Sequence, residues 1–373
     1  MKKLTFIFAL ILLGTGVLVA QSNFHNIHYL DPYNPEYVKG EVLVKFNDEV
    51  KVESSMKSGV AKTGISSVDA ILEPYQAEAF TKVFKETREQ RSRKTVRTIR
   101  DFKGNEIEVP ALFNIYKLKV DTIWDAKQII EELQKDENIE FAEPNYLVYS
   151  NEIMENGILP DFPPKFTPLP SNKGNRDPYP NDPLYQDGSQ WYLDAIDAPA
   201  VWDSVTGDTT QIIAIIDTGV DWDHPDLDDN IWTNWNEIPD NGIDDDNNGY
   251  IDDTRGWDYI NNDNDPNDDN SHGTHVAGIA AAEGNNEIGI CGVAFNSRIM
   301  PVKMLQSSGS GNSSDLAIAI EYASDNGATV INMSLGSYGE SLTVKSVLEN
   351  AYAGTGSGGG SMLLQLQGMI EKN

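Results

Sequence analysis

Val42, Val44 and Phe46 alternate with Leu43 and Lys45, the period-two pattern of a strand. Tyr116, Leu118 and Val120 alternate in the same way with Lys117 and Lys119, which predicts a half-buried strand. Beyond it, Ala126, Ile129, Ile130 and Leu133 share one helical face, with Asp121 or Thr122 available as the cap. A short strand is expected over Ile139–Ala142, and together these elements make a small α+β unit ending near Tyr149. The run from Lys85 to Arg100 is basic and polar and reads as a solvated helix or loop.

The second half carries a different pattern. Ile212–Ile216 is a continuous apolar run of strand length, as expected for a central parallel strand covered on both faces. Less perfect runs recur at Ile299–Leu305 and Ala328–Met333. Between them lie helical patterns over Thr274–Ala282 and through Leu316, Ile320 and Ala323, ending at Gly327. Strands alternating with helices predict an α/β domain with a doubly wound, mostly parallel sheet, preceded by the small α+β unit. Functional residues should then lie at the carboxyl ends of its strands. Pro160, Pro163, Pro164, Pro168 and Pro170 crowd a stretch without periodicity, which reads as an extended linker. The chain divides into a targeting segment (1–20), the α+β unit (21–150), the linker (151–180), the α/β domain (181–353) and a Gly/Ser-rich tail (354–373). Within the tail, Met362–Ile370 is expected to form a short amphipathic helix.

Composition sharpens this picture. Lys2 and Lys3, the apolar run Leu4–Val19 and Ala20 have the form of a signal peptide, so a secreted, extracellular protein is expected. The run is short for a spanning helix, and no stable membrane anchor is expected. Residues 1–150 carry 20 Lys+Arg against 22 Asp+Glu, leaving 8 against 36 for the remainder. Phosphates attract Lys and Arg, so nucleic acid is excluded as a partner. Clustered carboxylates suit calcium, or serve only as a solvated acidic surface. Cys291, between apolar neighbours, is the sole cysteine; it excludes an internal disulfide and reads as a buried small residue.

The candidate chemistry centres on two residues. Asp217 follows its strand directly in Ile-Ile-Asp-Thr-Gly, and His272 stands at the mouth of a helix. Asp217 could hold one ring nitrogen of His272 while the other faces a nucleophile. Alone, Asp217 is equally a turn-forming aspartate. Asp-Thr-Gly also serves aspartic proteases, but that chemistry needs two such carboxylates and one copy is present. His272 and His275 as zinc ligands lack the two-His, one-Glu arrangement of a metallopeptidase helix. His275 reads instead as a packed, hydrogen-bonded helix residue.

Ile-Ile-Asp-Thr-Gly-Val-Asp (215–221), His-Pro-Asp-Leu (224–227), His-Gly-Thr-His-Val-Ala-Gly (272–278) and Ile-Asn-Met-Ser-Leu-Gly (331–336) resemble the motifs of subtilisin-like serine proteases, in the family's order. Gly-Glu-Val-Leu-Val (40–44) and Ala-Glu-Pro-Asn-Tyr (142–146) resemble the family's inhibitory, fold-assisting propeptide. The resemblance implies Asp217 as orienting acid and His272 as general base, with protein or peptide substrates. It implies that Gly309, Ser310 and Gly311 pair with the substrate backbone, and that Ser334, Leu335 and Gly336 form the opposite edge. It further implies that the chain's own propeptide is an intramolecular inhibitor. A strong structural calcium site is matched by Asp182, Asp226 and Asn286, with carbonyls of Gly284, Ile288 and Ile290. A second calcium candidate, Asp244, Asp246, Asn248, Gly249 and Asp252, follows the first half of an EF-hand loop, with Arg255 where the bidentate Glu belongs.

The motif resemblance ends after Tyr352. The family's oxyanion-hole Asn and its Gly-Thr-Ser-Met-Ala segment have no counterpart, and Ser361-Met362 is not assigned to the nucleophile role. The expectation is a secreted, calcium-stabilised subtilisin-like endopeptidase precursor, truncated and without its nucleophile. The alternative is a non-catalytic, calcium-holding propeptide and partial domain that binds or inhibits a related protease.

Overall fold

Two main sheets organise the residues that the computed structural model describes: 36–85, 97–100, 106–150, 180–337, 339–353 and 362–365. In the first unit the order is β1 (Tyr37–Phe46), β2 (Ser55–Lys57), β3 (Val60–Lys62), α1 (Ser66–Leu72), β4 (Ala79–Lys82), β5 (Arg97–Arg100), β6 (Glu106–Val109), β7 (Ile115–Lys119), α2 (Ala126–Leu133) and β8 (Ile139–Ser150). Strands β8, β1, β7 and β4 lie side by side and antiparallel. Val42, Val44 and Phe46 pack with Val68, Leu72, Ile129 and Leu133 of the two helices. Leu43 is also fully buried, because the opposite face of β1 joins a core shared with the second unit. The alternating pattern therefore marks two apolar surfaces rather than one wet face. Lys45 fits there because its ammonium meets Asp48 at 2.5 Å and lies 5.5 Å from the Phe113 ring centre.

The cap of α2 is Asp125, whose carboxylate accepts the Lys127 N–H at 3.0 Å. Asp121, expected in that role, accepts from Ile123 N–H at 3.0 Å and closes the preceding turn.

The second unit opens with three short helical turns, Pro183–Gln186, Trp191–Ala195 and Ala198–Trp202. It continues through β9 (Ile212–Asp217), β10 (Trp257–Asp258), α3 (His272–Ala281), β11 (Arg298–Lys303), β12 (Ser310–Asn312), α4 (Ser313–Asp325), β13 (Val330–Met333), β14 (Leu335–Gly336), α5 (Leu342–Tyr352) and β15 (Met362–Gln365). Strands β10-β11-β9-β13-β15 form one parallel sheet. Ile213 and Ile215 face α3, with Ala277, Ala280 and Ala281, whereas Ala214 and Ile216 face α4, with Leu316 and Ile320. Helices on both sides explain why Ile212–Ile216 shows no alternation.

Three expectations are corrected. The short strand expected at Ile139–Ala142 runs on to Ser150, because its second half pairs with β12 and β14 of the second unit. The fold thus combines a parallel sheet with an antiparallel one that both units build. Over Met362–Gln365 the expected helix is a strand, taken up by the open edge of β13 in parallel register. Arg97–Arg100 pairs antiparallel with β6 as a strand rather than a helix or loop, and the Lys85 ammonium lies over the Tyr250 ring of the second unit. The signal-peptide expectation (1–20), the linker (151–179) and residues 86–96 of the basic run lie outside the described residues.

Ile215→Ala should cost roughly 2–5 kcal/mol, because the central strand cannot collapse onto the space left behind. Urea denaturation checks this as a lower midpoint at unchanged slope.

Candidate active site

Asp217 ends β9 at the carboxyl edge of the parallel sheet, fully buried, and His272 is the first residue of α3. The His272 Nδ1 lies 2.7 Å from Asp217 Oδ1, which also accepts the Thr218 N–H at 2.7 Å. A buried carboxylate in this position fixes the tautomer with the proton on Nδ1 and stabilises the imidazolium. The other carboxylate oxygen, Oδ2, is buried with no hydrogen-bond partner. Close approach of helix to strand depends on Gly273, where an added Cβ would stand 2.0 Å from the Gly219 carbonyl and 3.1 Å from Asp217 Cβ. Ser271, directly before the histidine, holds a left-handed φ of 86°, a conformation that surrounding structure must enforce.

Asp268 does much of that enforcing. Its Oδ1 accepts N–H groups of Asn270 (2.9 Å) and Ser271 (3.0 Å) and the Thr218 hydroxyl (2.8 Å). Its Oδ2 accepts from the N–H (2.9 Å) and hydroxyl (2.6 Å) of Thr274. Thr218 Oγ1 in turn accepts the Gly273 N–H at 2.9 Å, which ties the helix start to the end of β9. Burial works to raise the Asp268 carboxyl, but the bonds from Thr274, Asn270 and Thr218 bring it below the usual carboxylate value. Nearby, the buried Lys303 donates to the Thr218 carbonyl (2.5 Å) and to Asp269 (2.6 Å). Neither Asp268 nor Lys303 had a sequence signal beyond lying in a polar loop and at a strand end.

The two expected substrate edges stand on either side of β8. Ser310, Gly311 and Asn312 pair antiparallel with Tyr149, Val148 and Leu147, and Gly309 accepts the Ser150 N–H at 2.7 Å. On the other side Leu335 pairs with Ser150 and Gly336 with Tyr149, while the Ser334 hydroxyl turns inward to Asn332 at 2.9 Å. Two polar residues of β8 lock this arrangement. The Glu143 carboxylate accepts Leu342 N–H (2.7 Å), Thr343 N–H (2.9 Å) and the Ser341 hydroxyl (2.9 Å) at the start of α5. Asn145 Oδ1 accepts the Ser314 N–H at 2.9 Å at the start of α4. A carboxylate at a helix N-terminus satisfies orphan donors and complements the dipole. Their contacts lie some 170 to 200 residues away in sequence, so no local pattern shows them.

Three side chains of the first calcium set, Asp182, Asp226 and Asn286, lie together. Asp182 is fully buried, with Oδ1 lacking any partner, and Oδ2 accepts the Asn285 N–H at 2.9 Å. Asp226 accepts from Asn286 Nδ2 and Ile290 N–H, both at 2.9 Å, and Asn286 Oδ1 accepts the Ile288 N–H at 2.8 Å. Burial pushes the Asp226 carboxyl up, and neighbouring Asp182 adds to this. Gly289 completes the cradle, since a Cβ there would lie 2.4 Å from Asp226 Oδ2. An orphaned buried oxygen beside a second carboxylate has the chemistry that suits a hard cation, which Asp182, Asp226 and Asn286 would hold.

The second set is only partly brought together. Asp244 accepts the N–H groups of Asn248 and Gly249, and Asp252 those of Asn241 and Gly242. Asp246 instead converges with Glu237 and Asp253, which the loop spacing did not mark. Asn248 stays close, donating to Asp246 (3.2 Å) and Asp253 (3.0 Å). Arg255 lies over the Trp222 ring at 4.1 Å and takes no place in the group. Burial pushes the Asp253 carboxyl up to about 7, against the bonds from Tyr322, Asn248 and Asn234.

His275 is exposed rather than packed and lines a cavity of about 600 Å³ with His224, Asp226 and Asp268. Among the described residues no histidine belongs to a converging metal group. Cys291 is buried as expected, its N–H donating to Gln190 Oε1 at 2.8 Å, and burial pushes its thiol up.

Residues 208–372 match the subtilase family, so the match extends past Tyr352, where the motif resemblance was expected to end. The thermophilic serine proteinase of Bacillus sp. (strain AK1) is 33% identical over 316 residues, 85% of this chain and 56% of that protein. Thermitase of Thermoactinomyces vulgaris is 41% identical over 157 residues, 42% of this chain and 48% of that protein. The chain spans about half the length of these two relatives. Fervidolysin of Fervidobacterium pennivorans, described as a keratinolytic enzyme related to subtilisin, superposes with a TM-score of 0.55 at 22% identity, covering 88% of this chain and 40% of that one. That likeness is one of fold.

The Asp268 network yields a pH prediction. Its carboxyl is lowered in the folded state, so its contribution is present above the ordinary carboxylate value and lost as pH falls through the folded value. Asp268→Asn should therefore destabilise the chain at pH 7 by about 1–3 kcal/mol, with the gap to wild type closing as pH falls through the lowered carboxyl value. Thermal unfolding of both proteins from neutral to acid pH measures it.

Proposed function

From this chain's membership of the subtilase family, we propose that it is the precursor of a serine endopeptidase that hydrolyses peptide bonds in proteins. The observation that carries the reading is the 2.7 Å contact between buried Asp217 and His272, placed beside two facing strand edges. His272 is the general base: its second ring nitrogen takes the proton of a serine hydroxyl and returns it to the leaving amine. Asp217 holds the imidazole in that tautomer and balances its charge. A substrate backbone lies between Gly309–Gly311 and Ser334–Gly336, so main-chain bonds supply affinity.

The first unit is a propeptide that blocks this cleft. Strand β8 lies along both edges as a substrate would, and Glu143 and Asn145 hold it there through the starts of α5 and α4. Residues 1–20 serve as a signal peptide, and the protein is secreted. Among the described residues no helix is long and apolar enough to cross a membrane. Calcium is structural, held at the Asp182–Asp226–Asn286 cradle and at the Glu237–Asp246–Asp253 group.

Casein hydrolysis and labelling by a serine-directed fluorophosphonate test the reading on the gene product. Hydrolysis that falls on the order of 10⁴-fold in Asp217→Asn supports it, and hydrolysis indifferent to that change overturns it. None of the serines in these 373 residues is assigned as nucleophile, so this chain by itself is expected not to label. Labelling of the chain would overturn that part.

Calcium at 100 times its dissociation constant should stabilise the folded chain by about 2.7 kcal/mol per site. Calorimetric melting with calcium and with chelator reads this, and Asp182→Ala should shrink the difference.

A further inference from the structure

Lys85 opens the basic run of the first unit and reaches across to the acidic loop of the second unit. The residue as a whole is exposed, but its ammonium is not free in solvent. Nζ donates to the Gly249 carbonyl at 2.5 Å and lies 3.5 Å from the Tyr250 ring centre and 5.6 Å from that of Trp257. The notch is shaped for the lysine stem: a Cβ on Gly249 would stand 2.8 Å from Lys85 Cδ, and Gly249 itself holds a φ of 95°. Val83 and Phe84, next to Lys85, are buried in the same core cluster as Tyr250 and Trp257. Asp244 and Asp253 add a favourable field, opposing the burial that lowers the ammonium's pKa. A cation against two ring faces, a carbonyl and two nearby carboxylates is a matched site rather than a surface contact.

We propose that this aromatic, acidic niche is a lysine-binding site on the second unit, and that Lys85 occupies it as a second anchor of the first unit beside the pairing of β8. The inference rests on the propeptide reading and deepens it. Strand β8 docks through backbone pairing that any extended peptide can make, whereas the niche recognises one cationic side chain at one position. Docking of the first unit is therefore selective for a chain that presents lysine beside two apolar residues, as Val83-Phe84-Lys85 does.

Hydrogen exchange on the full chain tests it without requiring catalysis, so its outcome is independent of whether the protein hydrolyses casein. Lys85→Met keeps the stem and removes the charge. It should raise exchange about three- to tenfold across residues 244–258, with Lys85→Arg retaining most of the protection. In a Tyr250→Leu background the Lys85→Met change should add little, because the ring it acts through is gone. Unchanged exchange in Lys85→Met would overturn the proposal, as would an equal effect of that change with and without Tyr250.

Discussion

Strand β8 carries the arrangement of the whole molecule, because the edges on either side of it cannot be left unpaired. Backbone N–H and C=O groups at a sheet edge need partners, and an open edge is a template for another chain. On the first unit's side β8 closes onto β1; beyond Glu143 the same strand satisfies β12 and β14 of the second unit. One twelve-residue strand thus carries the antiparallel sheet from the first unit into the second. The buried Glu143 and Asn145 set its register, since each meets the start of a helix that can lie in one place only.

The same economy governs the Asp217–His272 pair. Burial of Asp217 alone would be costly, and the geometry offsets this with the imidazole, the Thr218 N–H and the helix end behind them. Keeping the helix close enough demands glycine at 273 and a left-handed serine at 271, and Asp268 holds that turn in place. Strain beside His272 is therefore balanced within a few residues of where it arises.

Acidic charge is concentrated in the second half of the chain and is not uniform in role. At Asp182 it leaves a buried oxygen without a protein partner, which suits a cation. In the 237–253 loop most carboxylates turn on their own backbone, and three converge. Lys85 brings the opposite charge from the first unit to the rim of that loop.

By itself, the sequence determined the elements whose signal is local. The apolar run at Ile212–Ile216, the one-faced pattern of Ala126–Leu133 and the helix ending at Gly327 each formed where periodicity placed them, because burial on known faces fixes such patterns. The motif residues Asp217 and His272 were equally legible, each at an element's end. What only the tertiary structure decided depends on contacts distant in sequence. The length of β8, the strand at Met362–Gln365, the grouping of Glu237 and Asp253 with Asp246, and the work of Asp268 and Lys303 all follow from partners brought together by folding. A strand's extent is set by the edges available to it, and a carboxylate's role by which donors surround it; neither is written in its neighbours along the chain.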